Sequence, residues 1–167
     1  MASNLEKALS FKLEAFNFLY VLCDYETLLK KNISLKKFVD LCKKKDVKII
    51  QYRDKISSLQ EQKTNLLYLK SQLNIPIIIN DKIELIEFAD GLHLGQEDLE
   101  KIHKDKKIAV KLVRLKIKDK LLGLSTHNEI EILEANELEI DMIGLGAYKN
   151  TNTKDVSTIL GSKISYL

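Results

Sequence analysis

Asn80, Asp81 and Asp98 stand just beyond two apolar runs of strand length, Ile77-Ile-Ile and Gly91-Leu-His-Leu. In folds built from βα repeats the chemistry collects at such places, because strands buried on both faces meet solvent only at their ends. If the two runs are neighbouring strands, the carboxylates of Asp81 and Asp98 are expected to face one another. Two carboxylates, completed by waters and phosphate oxygens, are a usual cradle for Mg2+. The same residues also fit a plainer role as helix caps, Asp81 for a helix beginning near Ile83 and Asp98 for one beginning at Leu99.

Three further segments carry polar groups of a related kind. In Gln51-Tyr-Arg-Asp-Lys55 an extended chain projects residues 51, 53 and 55 to one side. That gathers an amide, a guanidinium and an ammonium, which suits a pyrophosphate, although a solvated strand end has the same composition. Gly123-Leu-Ser-Thr-His-Asn128 brings Ser125 and Asn128 to the start of a helix, where free N–H groups attract phosphate. His127 invites a general-base role and equally fits an ordinary surface histidine. Gly144 to Lys154 offers two glycines for a backbone turn, then Thr151, Thr153 and Lys154, a loop able to hold an anion or to need no ligand.

Positioning such groups requires a regular frame, and hydrophobic periodicity supplies one. Strand and helix patterns alternate with a period of roughly 25 to 30 residues, the length of one βα unit. The expected order begins with a short amphipathic helix over about residues 5–16, then a buried strand Phe18–Cys23. Next come a helix Leu35–Lys45 capped by Ser34, with Leu35, Phe38, Val39, Leu41 and Cys42 inward, and a strand Val47–Tyr52. A helix from about Leu59 to Leu73 follows, capped by Ser57 or Ser58 with Glu61, then a strand from Pro76 and a short helix Ile83–Phe88. The remaining elements are a strand Ala89–Leu94, one long helix from Leu99 to about Ile117, a strand Leu121–Leu124, a helix Glu129–Glu137 and a strand Asp141–Leu145. Six units in one order predict a parallel sheet with right-handed crossovers, either doubly wound or part of a (β/α)8 barrel, in one domain spanning residues 1–167.

Composition narrows the function classes. With 45% hydrophobic and 31% charged residues the chain has a globular composition, and a net charge of +3 is too small for a nucleic-acid binder. No apolar run approaches the roughly 18 residues of a membrane span. Of 27 basic residues only Arg53 and Arg114 are arginine, so an arginine inside a motif stands out. Cys23 and Cys42 lack CxxC or zinc spacing, which favours reduced, buried thiols and a cytoplasmic location.

Taken together, the ordered motifs resemble the thiamine phosphate synthase family. They are Gln51-x-Arg53-x-Lys55, Ile79-Asn80-Asp81, Gly91-x-His93-x-Gly95-Gln96-Glu97-Asp98, Gly123-x-Ser125-x-His127, and Gly144-x-Gly146 ending in Thr151-x-Thr153-Lys154. The resemblance implies a (β/α)8 barrel that joins hydroxymethylpyrimidine pyrophosphate to hydroxyethylthiazole phosphate through a pyrimidine cation, releasing pyrophosphate. It implies that Gln51 contacts the pyrimidine while Arg53, Lys55, Asn80, Ser125 and Lys154 hold the pyrophosphate. By the same carry-over Arg53, Lys55, Ser125 and Lys154 act on the leaving group. The resemblance further implies that Asp81 and Asp98 bind Mg2+ and that Thr151 and Thr153 reach the thiazole phosphate. The family pattern continues through two more βα units, so the sequence as written reads as an incomplete barrel, shortened at its C-terminus. From that follow two expectations: pyrophosphate binding with slow or absent turnover, and self-association through open strand edges. The alternatives are a thiazole tautomerase-like enzyme, which typically lacks the Asn-Asp and Gly-Gln-Glu-Asp motifs, and a non-catalytic binder of pyrophosphate or thiamine precursors.

Overall fold

A computed structural model of the chain describes residues 18–146. The helix expected over about residues 5–16, and Thr151, Thr153 and Lys154, lie outside the described residues. Six parallel strands follow sequence order: β1 (Leu19–Asp24), β2 (Val47–Arg53), β3 (Ile77–Asn80), β4 (Gly91–Leu94), β5 (Leu121–Thr126) and β6 (Met142–Leu145). The helices are α1 (Tyr25–Lys30), α2 (Leu35–Lys44), α3 (Leu59–Gln72), α4 (Gln96–Ile102), α5 (Lys106–Ile117) and α6 (Glu129–Asn136), with a 3-10 turn at Ile83–Phe88. The chain packs as two compact units, one running through Leu92 and including Ile117–Leu121, the other comprising His93–Lys116 and the residues from Leu122 onward.

The first unit is built on β1, β2 and β3, with register partners Leu22 and Gln51, Asp24 and Arg53, and Gln51 and Ile78. Ile77, Ile78 and Ile79 are all fully buried, which is what a strand covered on both faces demands of consecutive side chains. Each such isoleucine contributes about 1.5–3 kcal/mol on burial. α3 packs Leu66 and Leu69 inward. It starts at a capping box in which Ser58 and Glu61 satisfy each other's backbone N–H groups at 3.3 and 2.8 Å. Gly91 has no room for a side chain, since a Cβ there would lie 2.6 Å from Ile78 Cδ1 and from the Leu121 carbonyl oxygen.

In the second unit α5 buries Ala109, Val110 and Val113, and β5 buries Leu122 and Leu124. β5 and β6 pair in parallel, Ser125 opposite Gly144.

One device begins strands in both units. Asp90, just before β4, accepts the Ile77 N–H at 3.0 Å and pairs with Lys70 of α3 at 2.6 Å. Asp141, just before β6, accepts the Leu122 N–H at 2.9 Å and pairs with Arg114 of α5 at 2.6 Å. Each aspartate ties a helix to a strand start and satisfies a backbone donor.

The structure corrects several expectations. β1 is not a buried strand: only Cys23 is buried, and Leu19, Tyr20 and Leu22 are exposed, because β1 stands first in strand order with β2 as its paired neighbour. α1 was not anticipated, being a single short helix started by Asp24, whose carboxylate accepts the Thr27 N–H at 2.9 Å. Leu41 is exposed while Phe38, Val39 and Cys42 carry the inner face of α2. The long helix after Leu99 is two helices. Asp105 breaks it by accepting the N–H groups of Lys107 and Ile108 at 2.8 and 3.2 Å, an N-cap written inside an apolar period.

Candidate functional site

At the carboxyl ends of β1 to β3 the first unit assembles the polar residues that the sequence singles out, with one addition. Gln51, almost fully buried, donates from Nε2 to Asn80 Oδ1 at 3.4 Å, which leaves the Asn80 amide hydrogens as donors. Arg53 is held by Asp24, its register partner on β1, through a short Nη1 to Oδ2 contact, with each side chain 11% exposed. Burial works against ionisation of Asp24, but hydrogen bonds from Thr27 and Arg53 outweigh it and hold the carboxyl below its ordinary value. The Arg53 Nε–H is buried with no hydrogen-bond partner among the described residues.

The expected trio of residues 51, 53 and 55 on one extended face does not extend to Lys55. β2 ends at Arg53 because Asp54, itself buried, accepts the N–H groups of Ile56 and Ser57 at 3.1 and 3.0 Å and turns the chain. Asp54 also accepts the Tyr52 hydroxyl at 2.8 Å, and Asn65 donates to that hydroxyl at 2.9 Å. Lys55 is thereby left exposed on a bend, and no ion-pair partner for it is found among the described residues. A compact cation so placed is available to an anion.

Asp81 follows β3 directly, in the left-handed region with φ 62°. Aspartate tolerates this conformation better than most residues, and the turn it makes takes the chain sharply away from the strand end. The 3-10 turn after it has Lys82 at its N-cap, and the Lys82 side chain makes no cap bond there.

The second unit holds Ser125, Asp98 and a motif residue to which the sequence reading gave no role. His93, buried on β4, lies with Nε2 3.0 Å from Ser125 Oγ on β5. Gln96 donates from Nε2 to the Ser125 carbonyl at 2.7 Å, so both the backbone and the hydroxyl of Ser125 are held. Room for the imidazole comes from two glycines. A Cβ at Gly123 would lie 2.4 Å from His93 Nδ1, and one at Gly144 3.2 Å from its Cε1. Gly144 thus sits within β6 against a histidine ring rather than in a turn. Asp98 lies in the first turn of α4, its Oδ2 accepting the Gly95 N–H and its Oδ1 pairing with Lys101, both at 3.1 Å. Its capping role is therefore real, exerted from inside the helix rather than from the residue before it.

His127 pairs through Nδ1 with Glu131 at 2.9 Å, one turn along the chain, at a 42% exposed side chain. That is the setting of a surface histidine. Among the described residues no group of three or more His, Cys, Asp and Glu side chains gathers as a ready-made metal centre. The donor types nevertheless fit Mg2+, which takes hard oxygens and few protein ligands, since Asp81 and Asp98 both offer carboxylate oxygens. Among the same residues no helix is long and apolar enough to cross a membrane.

Sequence reasoning gave no role to Asp24 or Asp54, and it named His93 and Gln96 within a motif without assigning either a task. A signal existed for one of them: Gly123 and Gly144 are strand glycines, and a strand glycine often marks the close approach of another group.

Comparison with known proteins places these residues in context. The family model described as thiamine monophosphate synthase matches residues 19–165. The thiamine-phosphate synthase of Persephonella marina is 34% identical over 118 residues, 68% of this chain and 53% of that protein. That of Clostridium acetobutylicum is 36% identical over 141 residues, 81% of this chain and 62% of that protein. The chain thus spans about half to two thirds of the length of the curated relatives it matches. A solved structure, the thiamine phosphate pyrophosphorylase of Pyrococcus furiosus, superposes with TM-score 0.66 at 20% identity, covering 86% of this chain and 65% of that one. The likeness is one of fold, an α/β architecture of the TIM-barrel type.

Proposed function

The chain belongs to the thiamine monophosphate synthase family, and on that premise we propose that its chemistry is thiamine phosphate synthesis. Hydroxymethylpyrimidine pyrophosphate is joined to hydroxyethylthiazole phosphate, and pyrophosphate leaves. The reading rests above all on the end of β2, where Arg53 keeps an unpartnered buried Nε–H and Lys55 stands on the turn that Asp54 builds. Buried donors without partners are costly, and an anion that accepts from Arg53 removes that cost.

As the bond between the pyrimidine methylene and the pyrophosphate breaks, negative charge grows on the departing group. Donors aimed at that charge lower the barrier electrostatically. In this reading Arg53 offers Nε–H to a phosphate oxygen, Lys55 adds an exposed cation and Asn80 donates its amide hydrogens. Ser125 joins them by its motif. Gln51, fixed by its bond to Asn80, faces the pyrimidine. Lys154 joins the pyrophosphate ligands by motif, and Thr151 and Thr153 those of the thiazole phosphate. Asp81 and Asp98 are the proposed Mg2+ ligands, carried by their motifs, and the ion when bound would neutralise part of the leaving-group charge. The buried free thiols Cys23 and Cys42 support a cytoplasmic location. Self-association belongs to the same proposal, since β1 exposes Leu19, Tyr20 and Leu22 along a strand paired with β2.

The test is calorimetry with pyrophosphate, with and without Mg2+, alongside an assay for thiamine phosphate from both substrates. Affinity is expected to fall when the metal is chelated, and to fall similarly in Asp98→Ala. Binding that ignores the metal overturns the Mg2+ assignment. Product formation establishes the synthase reading, whereas metal-dependent binding with no product reduces the chain to a binder.

A further inference from the structure

A serine hydroxyl has one proton and two lone pairs, and which of them faces a ligand depends on its neighbour. If a neighbouring imidazole nitrogen accepts the Ser125 proton, only lone pairs face outward, and lone pairs repel a phosphate oxygen. If the nitrogen donates instead, it occupies a lone pair and the hydroxyl proton is turned outward. His93 Nε2 is 3.0 Å from Ser125 Oγ, so one of these two states must hold.

We propose that His93 is a positioning residue that donates Nε2–H to Ser125 Oγ, so that the Ser125 hydroxyl presents its proton to a phosphate oxygen. The proposal rests on the reading above in taking that phosphate to be pyrophosphate. Its support is geometric. The imidazole is buried, and both neighbouring strand positions that would crowd it, Gly123 and Gly144, lack a side chain. The Ser125 backbone is fixed by strand pairing opposite Gly144 and by Gln96, which donates to its carbonyl at 2.7 Å. Rotation about the serine side chain is the freedom left, and the imidazole restricts it. A hydroxyl oriented before its ligand arrives costs no reorganisation when charge develops.

Two measurements test this. In long-range nitrogen–proton NMR spectra of the full chain at neutral pH, His93 Nε2 should carry the proton, and its resonance should move in Ser125→Ala. A ring protonated only at Nδ1 overturns the proposal. Calorimetry with Mg2+ and pyrophosphate then compares variants. His93→Asn, whose amide is too short to reach, should weaken binding about tenfold, the scale of one hydrogen bond to a charged group. His93→Gln, whose amide nitrogen reaches nearly as far as Nε2, should restore affinity to within about twofold. In a Ser125→Ala background His93→Asn should cost nothing further, because its effect passes through the hydroxyl. Additive losses in the double variant, or equal losses for Asn and Gln, overturn it. If the unmodified chain has no pyrophosphate affinity, the proposed function falls, and the tautomer of His93 with its response to Ser125→Ala decides this assignment alone.

Discussion

The chain's two arginines, one in each unit, are both paired with aspartates, and they are used in opposite ways. Arg114 is committed: its Nε donates to the Glu139 carbonyl at 2.7 Å and its Nη2 to Asp141 at 2.6 Å, fastening α5 to the start of β6. Arg53 is anchored through Nη1 alone, at the carboxyl end of β2, with its Nε–H buried and unpartnered among the described residues. A guanidinium has five donors, so the number a fold consumes measures what is left for a ligand. Spent capacity marks Arg114 as a fastener, and unspent capacity marks Arg53 as a recognition group.

The strongest way to break the comparison is to remove each guanidinium in turn. Arg53→Met should destabilise the chain by about 3 kcal/mol in urea unfolding, because Asp24 is left as a nearly buried charge without a counter-ion. It should also abolish measurable pyrophosphate binding. Arg53→Lys keeps the charge but loses the fork, so binding should still fall while stability recovers in part. Arg114→Met should cost about 2 kcal/mol, the penalty for withdrawing a charged donor from the Asp141 carboxylate and the Glu139 carbonyl. Pyrophosphate affinity of the Arg114 variant should match the parent within error. An Arg114 variant that loses affinity, or an Arg53 variant that keeps it, removes the distinction.

Next in size is Gly123→Ala. The added methyl would lie 2.4 Å from His93 Nδ1, so the ring must shift, at about 1–3 kcal/mol of overpacking. Affinity for pyrophosphate should fall with it if Ser125 takes its orientation from His93.

A smaller effect concerns acid. Because the folded-state pKa of Asp24 is lowered, its pairing stabilises the fold fully above the ordinary value of 3.8 and is lost as pH falls through the depressed value. Across that window the unfolded chain binds the proton first, and this group adds at most about 1.4 kcal/mol per pH unit to the slope. Unfolding of Asp24→Asn followed below that pH should lack this increment.

Least of all should change in His127→Ala. Its contact with Glu131 is a partly exposed pair one helical turn apart, worth about 0.3–0.5 kcal/mol, and turnover should be unaffected. Loss of activity with an intact fold would make His127 a chemical participant after all.

Strand and helix order was legible in the sequence because burial imposes periodicity, and all six expected strands are present within a residue or two. The fine structure of the ends was not. Asp105 splits a helix whose apolar period runs on past it, and Asp54 bends the chain that alternation alone would extend to Lys55. Side-chain to backbone hydrogen bonds over two or three residues decided both cases, and hydrophobic patterning carries no trace of them.

What the sequence by itself determined is the repeat. Asp24 and Arg53, Gln51 and Asn80, and Gln96 and Ser125 touch at the same separation of 29 residues, one βα unit, so residues a unit apart become neighbours once strands pair in parallel. Which of those neighbours bond was decided only by the tertiary structure. Arg53 takes Asp24 because strand register sets them side by side at low exposure, where an unpaired charge is expensive. Ser125 meets His93 at a spacing of 32, off the repeat, because two glycines clear a volume that exists only when β5 and β6 lie against the ring. Periodicity is a one-dimensional consequence of burial and can be read from the chain, whereas the space for a side chain belongs to three dimensions and appears only once the strands are packed.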